Sequence, residues 1–396
     1  MKDFVFHNPT KIIFGDGTVS QVGAEAASYG KRALLVYGMG SVKKNGVYDQ
    51  VVASLTEAGV EIVEYPGVKS NPMLSYARQG VELAKKEKVD VVVAVGGGSV
   101  IDTSKSICAG AVTDTDILEF FVFTSTVETA LPLLTVLTIP AAGSEMNGGM
   151  VLTNDETLDK LGTCNYAPLY PKVSILDPTV TYTIPADYTA FSAADAMSHL
   201  LEGYWTHEDE WTPIQDRYVE GLCKSIMEAG EKAVADPSDY QGRATLMWAA
   251  TMAFNDLSSS GVGAIYFPCH MLEHPLSAIY DISHGAGLSI TMLAWTTYAA
   301  ENRNTARIAQ LARNVFGATA DDDLAAAKDG IETFRQWLKK IGSYTCFADA
   351  GIPESDIDKI TERTAFLADL WGITEHGYNA ESISEIYRMC GPFKDE

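Results

Sequence analysis

Cationic residues are scarce in this chain. Lys and Arg number 29 against 52 Asp and Glu over 396 residues, a net charge of −23. A surface that acidic repels nucleic-acid phosphates and anionic lipid, so neither class of partner is expected. It does not exclude an anionic cofactor, which a single loop can hold through backbone N–H groups. Cysteine is sparse too: six residues, at 108, 164, 223, 269, 346 and 390, with no CxxC pair. That excludes a disulfide scaffold and a zinc-finger-type site, and it suits a reducing cytoplasm. Long apolar runs are missing. The longest, around Val91–Val95 and Leu131–Ile139, fall short of the ~20 residues a membrane helix needs. The N-terminus, MKDFVFHNPTKIIFG, has no basic segment followed by an apolar one, so a cytoplasmic location is expected. HExxH, GxSxG, GxGxxG and the P-loop pattern are all absent, which removes motif support for zincins, serine hydrolases and P-loop enzymes.

What is there falls into two rhythms. Up to about residue 184, strand-like and helix-like segments alternate: strands at Arg32–Tyr37, Val60–Tyr65, Val89–Val95 and Leu133–Ile139, helices at Val47–Ala58, Leu74–Lys88 and Ser99–Ala109. VDVVVAV, apolar except at Asp90, reads as a strand covered on both faces. This predicts an α/β domain with a parallel sheet over 1–184, whose ligands lie at the carboxyl ends of the strands. Over 185–396 the pattern is mostly helical and predicts an all-helical second domain.

Two predicted strands run into glycine turns: Gly38-Met39-Gly40-Ser41, and Gly96-Gly97-Gly98-Ser99 opening the helix with Asp102 and Lys105. Glycines let backbone approach a phosphate, and a helix N-terminus offers unpaired N–H groups. Tight βα turns would use glycine for ordinary reasons as well. Two such loops in one sheet favour a dinucleotide over a lone phosphate.

Histidine is also rare, seven in all, yet His270, His274 and His284 lie within fifteen positions, and His199 follows Asp195 by four. An i, i+4 pair shares one helix face, and one Asp with several His suits Zn²⁺ or Fe²⁺ with an open position for chemistry. Spacing does not say which of the three later histidines ligate. Glu202, one turn after His199, could support a ligand, but a solvated helix face is the plainer expectation. His7, His207 and His376 are isolated and carry no assigned role.

The ordered series YGMGSVKKNGVYDQV, GGGSVIDTSK, TIPAAGSEMN, KLGTCNYAPLYPKVSILDP, AADAMSHLLE, MWAATMAFND and HMLEHPLSAIYDISHG resembles the iron-dependent (group III) alcohol dehydrogenase family along the whole chain, and within it the butanol-dehydrogenase-like, NADPH-dependent aldehyde reductase branch. The resemblance implies a Rossmann-like dinucleotide-binding domain, a helical metal-binding domain, and a cleft holding NADP(H) and one divalent metal, Fe²⁺ or Zn²⁺. It implies metal ligands Asp195, His199, His270 and His284, with His274 on the substrate side as the catalytic residue. Gly97, Gly98 and Ser99 would hold the pyrophosphate, with Asp102 in the same unit. Asn71, Thr138, Asn147 and Lys160 would line the cofactor site, and Gly38, Gly40 and Ser41 would meet the adenosine end. Ala142 stands where Thr is usual, Met39 where Gly is common, and Asp256 and Ser258 replace small or apolar residues. The implied reaction is hydride transfer between NADP(H) and a primary alcohol or aldehyde. A zinc polyol dehydrogenase using NAD(H), a sugar-cyclising synthase of the same superfamily and a nucleotide-free metallohydrolase are the alternatives. A homodimer is among the assemblies this leaves open.

Overall fold

The computed structural model describes residues 1–163, 166–207 and 211–394, so Cys164 lies outside the described residues. These form two compact units. The first comprises residues 7–184 together with 237–255; the second comprises 1–6, 185–236 and 256 onward.

The first unit is built on a six-stranded sheet, every neighbouring pair parallel. Its strands are β1 (Lys11–Phe14), β2 (Arg32–Gly38), β3 (Glu61–Val68), β4 (Val91–Gly96), β5 (Leu133–Leu137) and, after an antiparallel hairpin of β6 (Met150–Asn154) and β7 (Asp159–Thr163), β8 (Val173–Leu176). The order is β1-β8-β5-β4-β2-β3. β4, β5 and β8 are buried at every position, Thr135 and Ser174 included, as expected of strands that helices cover on both faces. The edge strands β1 and β3 carry the exposed positions.

From β2 the chain moves outward to β3, then returns to place β4 on the other side of β2 and builds away from it. The sheet therefore reverses direction between β2 and β4, the place where such folds bind ligands beyond the carboxyl ends of the strands. Tyr37 pairs with Val95 there, so the two glycine turns that follow β2 and β4 are neighbours.

The second unit is helical. Ala186–Thr206 and His284–Asn302 are apolar nearly all round and buried along most of their length, which marks them as central helices. They approach closely at Gly285, where an added Cβ would lie 2.0 Å from the carbonyl oxygen of Phe191. Pro213–Ala235, Pro268–Tyr280, Asp323–Ile341, Ile357–Leu370 and shorter helices complete the unit. Among the described residues no helix is long and apolar enough to cross a membrane.

The observed division differs from a single cut at 184/185. Helix Tyr240–Ala253 packs with the sheet unit: Thr251 donates to Glu145 (2.6 Å), Trp248 meets Phe14 edge-on, and Arg243 reaches the Ile184 carbonyl. Residues 1–6 go the other way, with the Lys2 amide on the Gly261 carbonyl. An amphipathic pattern says that a helix buries a face, not against which neighbour.

Candidate active site

The turn after β2 is tight. Gly40 has φ +127°, closed to ordinary side chains, and Ser41 opens the short helix Ser41–Lys44. No carboxylate lies in Gly38–Ser41. Lys43 is not a freely solvated charge: its ammonium lies over the Tyr48 and Tyr37 rings and 3.7 Å from Glu64, which also accepts from both phenols.

After β4, Gly97 caps the helix Gly98–Gly110 with no side-chain cap and no acidic residue in the first turn. Residues 97–99 are half-buried at the strand end, and the Val100 and Ile101 amides turn back onto the Gly97 carbonyl, so the helix N-terminus opens at Gly98 and Ser99. Gly98 faces the β-carbon of Ala142, 3.1 Å from where its own Cβ would be. Nothing in the structure explains the alanine at 142.

The other expected cofactor-lining residues cluster in the same unit. Asp102 and Asn147 are linked through Ser144 and Lys105. The Lys105 ammonium, fully buried, donates to Ser144 (2.8 Å), Asn147 (3.0 Å) and the Gly149 carbonyl (2.7 Å). Asp102 accepts from Ser144 (2.5 Å) and from the Val151 amide. Burial pushes its carboxyl up, against the pull of Lys105 and of the Ser144 hydroxyl. Lys160, on β7, donates to Asn71 (3.2 Å), and both are buried. Thr138 follows β5, with its amide on the Gly96 carbonyl.

The helical unit gathers the rest. Asp195 and His199 lie one turn apart on Ala186–Thr206, His270 lies on Pro268–Tyr280, and their ligand atoms fall within 4.8 Å of one another. The His270 ring centroid is 4.8 Å from that of His199 and 5.2 Å from that of His284. His284 begins its helix and groups equally with Glu273 and His274 within 4.8 Å. His274 is buried, 6.2 Å ring to ring from His270 and edge-on to Trp371 at 5.1 Å.

Two carboxylates that sequence reasoning undervalued organise this cluster. Glu202, expected on a solvated face, is fully buried and bonds His270 Nδ1, and it also accepts the Cys269 and His270 amides. Glu273, not singled out at all, is fully buried and bonds His284 Nδ1. The signal for Glu202 was the helix itself: AFSAADAMSHLLEGYW is apolar all round and has no solvated face to offer. Glu273 stood directly before His274 in HMLEHP.

This donor set fits a divalent ion. With Nδ1–H of His270 and His284 donated to a carboxylate, each neutral ring carries its lone pair at Nε2, and ligating histidines usually have such a carboxylate behind them. His199 is held neutral, its pKa driven well down by burial and by the neighbouring His270 and His284. For His270, burial opposes protonation, but Glu202, Asp195 and Glu273 together outweigh it and the net direction is upward.

Comparison with known proteins agrees. Residues 9–178 match the model of iron-containing alcohol dehydrogenases, and 189–390 match the C-terminal model of that family. The chain is 40% identical over 366 residues to a probable NADH-dependent butanol dehydrogenase of Bacillus subtilis, covering 92% of this chain and 93% of that protein. It is 34% identical over 394 residues to the NADPH-dependent aldehyde reductase YqhD of Escherichia coli, covering 98% of each. The crystal structure of the NADH-dependent butanol dehydrogenase A of Thermotoga maritima superposes with a TM-score of 0.94 at 44% identity, over 99% of both chains. The chain belongs to the iron-containing alcohol dehydrogenase family, and is a metal-dependent alcohol dehydrogenase or aldehyde reductase that uses a nicotinamide cofactor.

Proposed function

We propose that the protein interconverts primary alcohols and aldehydes with NADP(H), using one iron ion held by Asp195, His199, His270 and His284. The convergence of these groups, with Glu202 and Glu273 behind two of the imidazoles, is the observation that carries the reading. When bound, the ion supplies a Lewis acid that stabilises negative charge developing on the substrate oxygen. The same donors would accept zinc, but the matching family models name iron. With the family shown, a nucleotide-free hydrolase has no remaining support.

The amides of Gly97, Gly98 and Ser99 take the pyrophosphate, and Gly38–Ser41 takes the adenosine end. Asn71, Thr138 and Lys160 line the cofactor site, while Asp102 and Asn147 hold its walls through Ser144 and Lys105. His274 stands on the substrate side, where its imidazole can pass a proton to or from the alcohol oxygen. Named relatives include NADH-dependent and NADPH-dependent enzymes, so the cofactor preference rests on the turn itself. It has no carboxylate to repel a 2′-phosphate, and it offers Ser41 and backbone amides. Charge-assisted bonds are worth roughly 1.5–3 kcal/mol each, so two of them favour NADP(H) by on the order of 10²-fold or more. The five described cysteines are all free and buried, in keeping with a reducing cytoplasm.

The test is a set of initial rates on straight-chain aldehydes with NADPH and NADH, for protein loaded with iron. Metal-dependent reduction with a clear advantage for NADPH is expected. Equal kcat/KM for the two cofactors would refute the reading of the turn, and reduction indifferent to metal would refute the site.

A further inference from the structure

We propose that Glu202 and Glu273 are positioning residues of the metal centre, fixing His270 and His284 in the tautomer that presents Nε2 to the ion. The inference rests on the metal reading above. Both carboxylates are fully buried, where an unpaired charge is costly, and both are spent on an imidazole Nδ1. A neutral imidazole carries one N–H. Once Nδ1–H is donated to a carboxylate, the lone pair is left at Nε2.

The two braces tie three helices together. Glu202 reaches from Ala186–Thr206 to His270 on Pro268–Tyr280, and Glu273 reaches from Pro268–Tyr280 to His284 at the head of the next helix. Glu202 cannot swing away, because its other oxygen accepts the Cys269 amide (2.5 Å) and the His270 amide (3.2 Å) in the first turn of the helix. The space for Glu273 is reserved by Gly287: a Cβ there would come within 2.7 Å of the Glu273 Cγ and Oε1. The second oxygen of Glu273 accepts from the Ser277 hydroxyl.

The two sites differ in what an amide would do. In Glu202→Gln, the backbone N–H groups demand the carbonyl oxygen, so the NH₂ faces His270 Nδ1. That nitrogen must then accept, and the proton moves to Nε2 and blocks it. In Glu273→Gln, the Ser277 hydroxyl can turn to accept, so the carbonyl oxygen can stay on His284 Nδ1. A purely structural pair of ion pairs would show no such asymmetry in metal retention.

The experiment challenges full-length protein, loaded with Fe²⁺ under anaerobic conditions, with graded chelator, and reads iron retained per chain alongside thermal unfolding. Glu202→Gln and Glu273→Ala should each weaken retention by about 10–100-fold, and Glu273→Gln by less than about tenfold. Wild-type retention in a folded Glu202→Gln would overturn the proposal. If that variant does not fold, wild-type retention in Glu273→Ala overturns it equally. His270→Ala separates the two levels. Iron held as tightly as in wild type there would sink the metal reading itself. Loosened iron in His270→Ala with unchanged retention in the glutamate variants would sink only the positioning role.

Discussion

Both units bury charge, but they spend it differently. In the sheet unit the buried charges close on themselves: Lys105 on Ser144, Asn147 and Gly149, Asp102 on Ser144 and Val151, Glu145 on Thr251. These bonds tie the helix after β4 to segment 144–151, and that segment to helix Tyr240–Ala253. In the helical unit Asp216 is likewise closed on Arg307, but the fully buried carboxylates Glu202 and Glu273 are turned onto imidazoles that converge. A charge locked among its own partners specifies a fold. A charge that fixes the aim of a neighbouring imidazole specifies a site.

The sharpest way to break this contrast is His284→Ala. It should remove most bound iron and cut turnover by at least about 10²-fold, while far-UV circular dichroism stays unchanged. Full metal content with normal turnover would dissolve the distinction. Lys105→Met tests the other side. Removing one partner of a buried charge network should cost about 3–5 kcal/mol of stability, read from denaturant unfolding, yet leave iron per folded chain as in wild type. His274→Ala should keep its iron and lose about 10²-fold in kcat, with a changed pH profile if the proton passes through this ring. Metal loss equal to that of His284→Ala would move it among the ligands.

Gly38→Asp sharpens the reading of the sheet unit. A Cβ at 38 lies 3.4 Å from the Val68 carbonyl, so the side chain fits with a slight adjustment. The added charge should shift the NADPH-over-NADH ratio of kcat/KM towards NADH by about 10–10²-fold, with stability little changed. Smallest of all, Lys328→Ala removes an exposed pair with Glu301 and should move stability by less than about 0.5 kcal/mol in thermal unfolding.

The same contrast decides what was legible in the sequence. β2, β3, β4 and β5 announced themselves as apolar or β-rich runs between turns, and the helices around them by their periodicity. β1 and β8 are four residues each, KIIF and VSIL, too short to stand out, and β7, DKLGT, is half polar. That Tyr240–Ala253 joins the sheet unit depends on Thr251, Trp248 and Arg243 meeting Glu145, Phe14 and Ile184, all far along the chain, which no local pattern records. In the site, spacing brought out the Asp195/His199 pair and left His270, His274 and His284 undivided; the family resemblance drew the division. Glu202 was misjudged because a charged residue was weighed alone rather than on a helix with no polar face. Lys43, just beyond the turn after β2, is engaged with Glu64 and two tyrosine rings, a tertiary arrangement invisible to spacing.

The most direct test of two units with separate tasks is amide hydrogen exchange of the full-length protein, followed residue by residue, on removing iron and on adding NADPH. Removing iron should speed exchange in the first turns of Pro268–Tyr280 and His284–Asn302, and leave the turns after β2 and β4 as they were. NADPH should slow exchange at Gly38–Ser41 and Gly97–Ser99 whether or not iron is present. If metal removal loosens the glycine turns and leaves the histidine-bearing helices untouched, the assignment of chemistry to the two units is wrong.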